Sequence, residues 1–250
     1  MEQMNSGEIS VSNWSDAEKD YESSRTRLLK QVSSAEVASS PFVYMTRQLV
    51  STCLTRIQLF ETLMQTGVHG SVVECGVHKG NSLMLWSHLS SILEPFNFNR
   101  KIIGFDTFEG FSSLSTFDDA RLSNMDFSDT NFEHLTLWAN LQEGNRPVSH
   151  ISKIELIKGD ATETIPAYVA SNPHLIVAML YLDFDIYKPT MTALEHLLPL
   201  VPRGGIVGFD EVGIKKFSGE TIALKESLKL GNIELVRFHY DPWVSYYKVT

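Results

Sequence analysis

From about residue 70 onward, short apolar runs alternate with segments of helical period. The runs cover 71–75, 101–106, 154–158, 176–183 and 205–210, and helical stretches fall between them at about 81–93, 131–141, 162–170 and 189–200. Alternation of this kind predicts a parallel sheet with helices on both faces. A helix at about 219–230 follows, then two strand-like runs at 233–239 and 243–249. Asp241-Pro242 between them reads as the turn of a hairpin that adds one antiparallel strand. The expected domain is α/β, with a mostly parallel seven-stranded sheet.

The first part of the chain differs. Residues 1–40 are rich in Ser and Glu, which suggests a flexible start and then a helix over 16–32 with Leu28 and Leu29 on its apolar stripe. The Ser-rich stretch 33–41 reads as a linker. A stronger helix is expected at about 44–65, where Met45, Leu49, Val50, Leu54, Ile57, Phe60 and Met64 recur at helical spacing and Gly67 offers a stop. Two divisions follow: an arm with helices over 1–66 and the α/β domain over 67–250. The helix at 44–65 is a candidate for core packing or for a homo-oligomer interface. From Asp106 to Asp160 the chain runs far longer than the ~30 residues of a strand–helix–strand unit. The surplus, about 111–150, is expected as an insertion over the sheet edge, either a lid or a solvated helical hairpin. Phe132, Leu135 and Trp138 are expected to share a helical face beneath it.

Composition narrows the partners. The chain has 250 residues, 43% of them hydrophobic, enough for a sizeable core. Thirty acidic against 21 basic residues give a formal net charge of −9, which argues against nucleic acid. Two cysteines, Cys53 and Cys75, make no disulfide framework, so a cytoplasmic setting is expected. Residues 1–15 lack a signal-like apolar stretch, and no run reaches the ~18–20 apolar residues of a membrane span.

Candidate chemistry gathers where the strands end. In open sheets ligands bind outside the carboxyl ends of the strands, and Asp106, Asp160, Asp183 and Asp210 all fall there. Glu74-Cys75-Gly76-Val77-His78-Lys79-Gly80-Asn81-Ser82 is a strand running into a glycine turn and a helix start. Its spacing is neither the dinucleotide fingerprint nor a P-loop. An acid at the strand end suits a cationic ligand such as a sulfonium; an ordinary strand–helix turn is the plainer alternative. Asp106 can accept ribose hydroxyls. Asp160 can accept an adenine amine or simply cap the next helix. Asp183, Asp185, Asp210 and Glu211 would meet at neighbouring strand ends. Such a cluster raises its own pKa values unless a hard divalent cation relieves it. Helix capping and surface solvation remain the alternative.

Together these segments resemble class I S-adenosylmethionine-dependent methyltransferases. Asp106-Thr107-Phe108-Glu109-Gly110-Phe111, Gly159-Asp160-Ala161, Leu182-Asp183-Phe184-Asp185-Ile186-Tyr187-Lys188-Pro189-Thr190 and Gly204-Gly205-Ile206-Val207-Gly208-Phe209-Asp210-Glu211 are similar to the macrocin and deoxysugar O-methyltransferases. The likeness covers about 70–250. It implies the Rossmann-like methyltransferase fold, S-adenosylmethionine, and Mg²⁺ or Mn²⁺. By that likeness Glu74, Gly76, His78, Gly80, Ser82, Asp106, Thr107, Phe108, Asp160, Ala161 and Asp183 are cofactor residues, and Asp183, Asp210 and Glu211 are metal ligands. Glu211 departs from the Asp or Asn expected there and could instead bind substrate. Asp185 could be a ligand, a supporting acid or a base.

The implied reaction is O-methylation of a sugar or a sugar-bearing natural product. Cation-assisted loss of a hydroxyl proton would precede in-line attack on the methyl carbon. His239 is the first candidate base, because histidine titrates near neutrality. Lys188 and Asp185 are its rivals, and Asp183 belongs to the same catalytic group. A catechol-like acceptor offers similar oxygens to a metal. A silent nucleoside-binding protein has no use for converging ligands. An iron hydroxylase would need a His-rich triad that this sequence does not display. Acidic residues of the insertion hint at a polar or cationic acceptor, and a solvated surface explains them equally well.

Overall fold

The computed structural model describes residues 15–250; the expected flexible start otherwise lies outside them. Helix α1 (Asp16–Leu29) opens on a capping box, in which Ser15 and Glu18 satisfy each other's backbone N–H groups. It ends before residue 32 and buries none of its residues, and Leu28 is exposed. Among the described residues the apolar stripe expected there meets no core. The stretch expected as a linker instead forms α2 (Ser34–Ser39) and α3 (Pro41–Tyr44). Ser33 caps the first and Pro41 opens the second, which is where serine and proline favour helices. Helix α4 (Arg47–Thr66) starts later than its apolar period suggests. Thr46 accepts the Leu49 N–H at 3.1 Å, and Met45 is left extended outside. Gly67 ends it in the left-handed region, as expected.

The α/β alternation follows as β1 (Ser71–Cys75), α5 (Asn81–Leu93), β2 (Ile102–Asp106), α6 (Phe132–Glu143), β3 (Ile154–Lys158), α7 (Ala161–Ser171), β4 (Val177–Leu182), α8 (Tyr187–His196), β5 (Ile206–Phe209), α9 (Ser218–Ser227), β6 (Val236–Arg237) and β7 (Ser245–Lys248). The sheet order is β3-β2-β1-β4-β5-β7-β6. Pairing is parallel from β3 through β5, and β7 runs antiparallel to both β5 and β6. The expected seven strands are therefore present, but β6 is only two exposed residues of the longer run anticipated. Chain order reverses between β1 and β4, the point where a crevice opens at the carboxyl ends.

Two apolar layers cover the sheet. Leu59, Phe60 and Leu63 of α4 pack with Leu83 and Trp86 of α5 on one face. Ile165, Ala193, Leu194 and Leu224 pack on the other. All six residues of β4 are buried, as a central parallel strand requires. Among the described residues no helix is long and apolar enough to cross a membrane. The insertion carries a 3-10 turn (Ala120–Asn124) and α6. Leu135 packs against Gly80, and the Phe132 ring lies 4.8 Å from Phe108. Trp138 does not join them: it is exposed, and its indole N–H donates to His134 at 3.1 Å.

The site depends on how closely β1 and β4 end together. Gly76 has φ +98°, and a Cβ there would stand 1.9 Å from the Asp183 carbonyl oxygen. Gly76→Ala is expected to lower unfolding free energy by about 3 kcal/mol, read from a urea denaturation midpoint. An unchanged midpoint would contradict this close approach.

Candidate active site

The glycine turn is held by a carboxylate. Asp106 Oδ2 accepts the N–H groups of Val77 at 2.7 Å and His78 at 2.8 Å, and Oδ1 accepts that of Phe108 at 2.6 Å. Asp106 thus fixes the loop that follows β1 from the end of β2. His78, Phe108 and Asp185 all adopt positive φ, at 46°, 55° and 65°. Strain of this kind persists only where surroundings impose it, and three of the four such residues among those described stand at strand ends, the fourth being Val148 of the insertion. Gly80 starts α5 without a side-chain cap. Ser82 Oγ accepts from Arg56 Nε at 3.2 Å, and Thr107 Oγ1 donates to the Gly110 carbonyl at 2.5 Å.

Asp160 caps α7, accepting the Thr162 N–H at 2.9 Å and its hydroxyl at 2.8 Å. Of the two readings left open for it, the capping one is present. Ala161 lines the large cleft, whereas Asp160 is not among its lining residues. The insertion is tied to the glycine turn through Asp129, which meets Lys79 Nζ at 2.5 Å and His78 Nε2 at 2.7 Å. Cys75 is buried, and burial pushes its thiol up, so it is inert packing.

Beyond β4 and β5 the acids converge. Asp183, Asp185 and Glu211 present ligand atoms within 4.8 Å of one another. Burial drives all three carboxyls upward, and neighbouring acids add to it; Asp185 reaches about 7 although a hydrogen bond with Glu211 opposes the rise. Glu211 Oε2 is buried without a partner. Oxygen donors alone, crowded and underpaired, fit a hard divalent cation such as Mg²⁺ or Mn²⁺. Asp210, expected as a ligand, lies beside this trio. Its Oδ1 accepts from Arg56 at 2.8 Å and from the Tyr181 hydroxyl.

Arg56 and Tyr181 escaped the sequence reading. The Arg56 guanidinium is almost wholly buried and sits 4.5 Å from the Tyr181 ring centroid. Burial opposes its charge, but Tyr181, Asp210 and Asp183 outweigh that and hold it protonated. A charged residue on the same α4 face as Leu59, Phe60 and Leu63 was the available signal. Glu220, in the first turn of α9, is completely buried. It accepts the Glu211 N–H at 3.4 Å, and its other oxygen is unpartnered.

A cleft of about 1440 Å³ joins these parts. Glu74, Gly76, His78, Ser82, Asp106, Thr107, Asp183, Asp185, Asp210 and Glu211 line it, as does His239 at its exposed margin. Lys188 is exposed at the start of α8 and is not part of the lining; its charge reaches Asp160, not the acids beyond β4 and β5. Glu74 is buried at the base with Oε2 unpartnered, an orphan that fits a cationic group of a ligand.

A parallel sheet with this glycine turn, an acid closing β2 and an acid cluster beyond β4 and β5 defines a Rossmann-like methyltransferase. The chain belongs to the macrocin O-methyltransferase family, whose model matches residues 51–247. It is 26% identical over 156 residues to mycinamicin III 3''-O-methyltransferase of Micromonospora griseorubida, covering 60% of this chain and 58% of that one. It is 25% identical over 156 residues to 8-demethyl-8-(2,3-dimethoxy-alpha-L-rhamnosyl)-tetracenomycin-C 4'-O-methyltransferase of Streptomyces olivaceus, covering 62% and 57%. The match thus spans under two thirds of these curated relatives. Among solved structures, the calicheamicin methyltransferase CalS11 superposes with TM-score 0.88 at 28% identity over 99% of both chains. Its apo form, described as a TDP-rhamnose 3'-O-methyltransferase, gives 0.80 at 28% identity over 94% and 96%.

Glu74 supplies a pH test. Burial pushes its carboxyl up to about 8 from an ordinary value of 4.5, with Arg56 opposing. Between those pH values the folded chain holds a proton that the unfolded chain has lost. Stability therefore falls as pH rises through that window. Glu74→Gln is expected to unfold at higher urea than the wild type at pH 8, with the gap closing toward pH 4.5. A gap independent of pH would contradict the burial argument.

Proposed function

We propose that this protein is an S-adenosylmethionine-dependent, cation-assisted O-methyltransferase acting on a hydroxyl of a sugar or sugar-bearing natural product. The observation that carries the proposal is the convergence of Asp183, Asp185 and Glu211 next to the glycine turn. The relatives' names, which refer to mycinamicin III, a rhamnosyl tetracenomycin and TDP-rhamnose, support a sugar hydroxyl as acceptor.

When bound, S-adenosylmethionine supplies a methyl carbon whose C–S bond breaks as the O–C bond forms, and Mg²⁺ or Mn²⁺ supplies Lewis acidity toward the acceptor hydroxyl. Gly76 and Gly80 leave the backbone open to close approach, with His78 and Ser82 beside them. Asp106, with Thr107 and Phe108, would take the ribose. Asp160 and Ala161 would flank the base. Glu74 and Asp183 would stand at the sulfonium end, where a bound cation favours their ionised forms over the protonated ones that burial imposes. Asp183, Asp185 and Glu211 would hold the cation, with Asp210 kept alongside by Arg56 and Tyr181. His239 at the cleft margin would accept the hydroxyl proton. Holding two reactants in register accounts for much of the remaining catalysis.

Calorimetry is expected to show micromolar S-adenosylhomocysteine binding, and paramagnetic resonance to show Mn²⁺ binding that Asp183→Asn abolishes. Turnover is expected to vanish in EDTA and return with Mg²⁺; full activity in EDTA would remove the cation from the mechanism. His239→Ala is expected to lower kcat by about 100-fold with KM little changed. An unchanged kcat would remove His239 as the base.

A further inference from the structure

Arg56 has donors to spare. A guanidinium carries five N–H groups in a rigid fork. Nη2 donates to Asp210 at 2.8 Å, and Nε donates its single N–H to Ser82 at 3.2 Å. Nη1 makes no hydrogen bond among the described residues, yet it is not one of their orphaned buried atoms. The residue is only 3% exposed, and it lines the cleft, so that remnant opens on the cleft. An arginine buried on a helix, bound on two sides and open on the third, is built to take an anion from that opening.

The backbone beside it is short of acceptors as well. Ser82 lies in the first turn of α5, which has no side-chain cap. The N–H groups of Asn81, Ser82 and Leu83 meet no acceptor among the described residues. A bare helix start of this kind favours negative charge. The Arg56–Ser82 hydrogen bond joins the guanidinium to that turn, so two separate sets of donors serve one place. Glu74 lines the same cleft with Oε2 buried and unpartnered, and it feels the charge of Arg56. An oxygen waiting for a cation and a guanidinium edge waiting for an anion thus share one pocket. A ligand with an ammonium and a carboxylate on one carbon, an α-amino acid, answers both. Lys79, the cation on the glycine turn itself, is already taken by Asp129 at 2.5 Å. A carboxylate entering among these acids would be repelled without a buried cation, and Arg56 is the one tied to the start of α5.

We propose that Arg56 is a cofactor-binding residue which, with the first turn of α5, holds the carboxylate of the cofactor's amino-acid end, while Glu74 faces the ammonium of the same group. This rests on the S-adenosylmethionine-dependent reading and deepens it with a residue from outside the glycine turn. Helix α4 then serves the cofactor site as well as the core. Fixing both charges of the amino-acid end also fixes the direction in which the sulfur, and the methyl it carries, points toward the acid cluster.

Calorimetry with two ligands tests it: S-adenosylhomocysteine, and its decarboxylated form, which keeps the amine and lacks only the carboxylate. Wild type is expected to bind the decarboxylated form about 100-fold more weakly. Arg56→Met is expected to lose about 100-fold in affinity for S-adenosylhomocysteine and to bind the decarboxylated form within about twofold of wild type. Damage to the cleft alone would weaken both ligands together. Arg56→Lys keeps a charge beside Asp210 and carries the test where the methionine variant loses its fold; an about tenfold loss is expected for S-adenosylhomocysteine and none for the decarboxylated form. Equal losses for the two ligands, or unchanged S-adenosylhomocysteine binding in the variants, overturn the proposal while leaving the methyltransferase reading intact. Failure of the wild type to bind S-adenosylhomocysteine removes that reading first, and this proposal with it.

Discussion

Uncompensated negative charge at the carboxyl ends of β1, β4 and β5 is the constraint on which the rest of this structure turns. Glu74, Asp183 and Asp210 lie around the Arg56 guanidinium, and Asp185, Glu211 and Glu220 feel the charge of Asp210. Burying carboxylates without partners is costly, so such groups stay protonated or wait for a cation. The cost is tolerable because a well-packed parallel sheet fixes the strand ends. β4 is buried along its whole length, and the backbone at Gly76 runs directly against Asp183. A looser sheet would let the acids splay apart, and the converging ligand set would be lost.

The arm before the sheet is part of this arrangement. Helix α4 packs Leu59, Phe60 and Leu63 into the core, and that packing delivers Arg56 from the same face to Asp210 and Ser82. One side chain thereby spans the acid cluster and the first turn of α5. The glycine turn is secured separately by Asp106, which spends its oxygens on three backbone N–H groups. Cofactor turn and acid cluster are therefore each held from a neighbouring element, and positive φ at His78, Phe108 and Asp185 shows where that holding strains the backbone.

Much of this was legible in the sequence because parallel strands are continuous apolar runs and their terminal acids stand out. The strand positions and the acids at their ends needed only that pattern. Helix limits in the arm were harder. Caps at Ser33 and Thr46 are single hydrogen bonds, and serine-rich stretches serve both loops and helix starts. β6 keeps only Val236 and Arg237, both exposed, while Phe238 of the same run turns into the core. The distribution of charge within the site was not legible. Which acid takes Arg56 and which insertion aspartates pair internally are tertiary facts that spacing along the chain does not encode.

The most direct test of the charge argument is the melting temperature of the purified protein with Mg²⁺ and with EDTA, followed from pH 5 to pH 8.5. Mg²⁺ is expected to raise it at the alkaline end, where the carboxyls would otherwise ionise against one another, and to have little effect at the acid end, where protons already neutralise them. A melting temperature that ignores Mg²⁺ throughout, or that responds equally at both ends, would contradict a floor built to hold a cation.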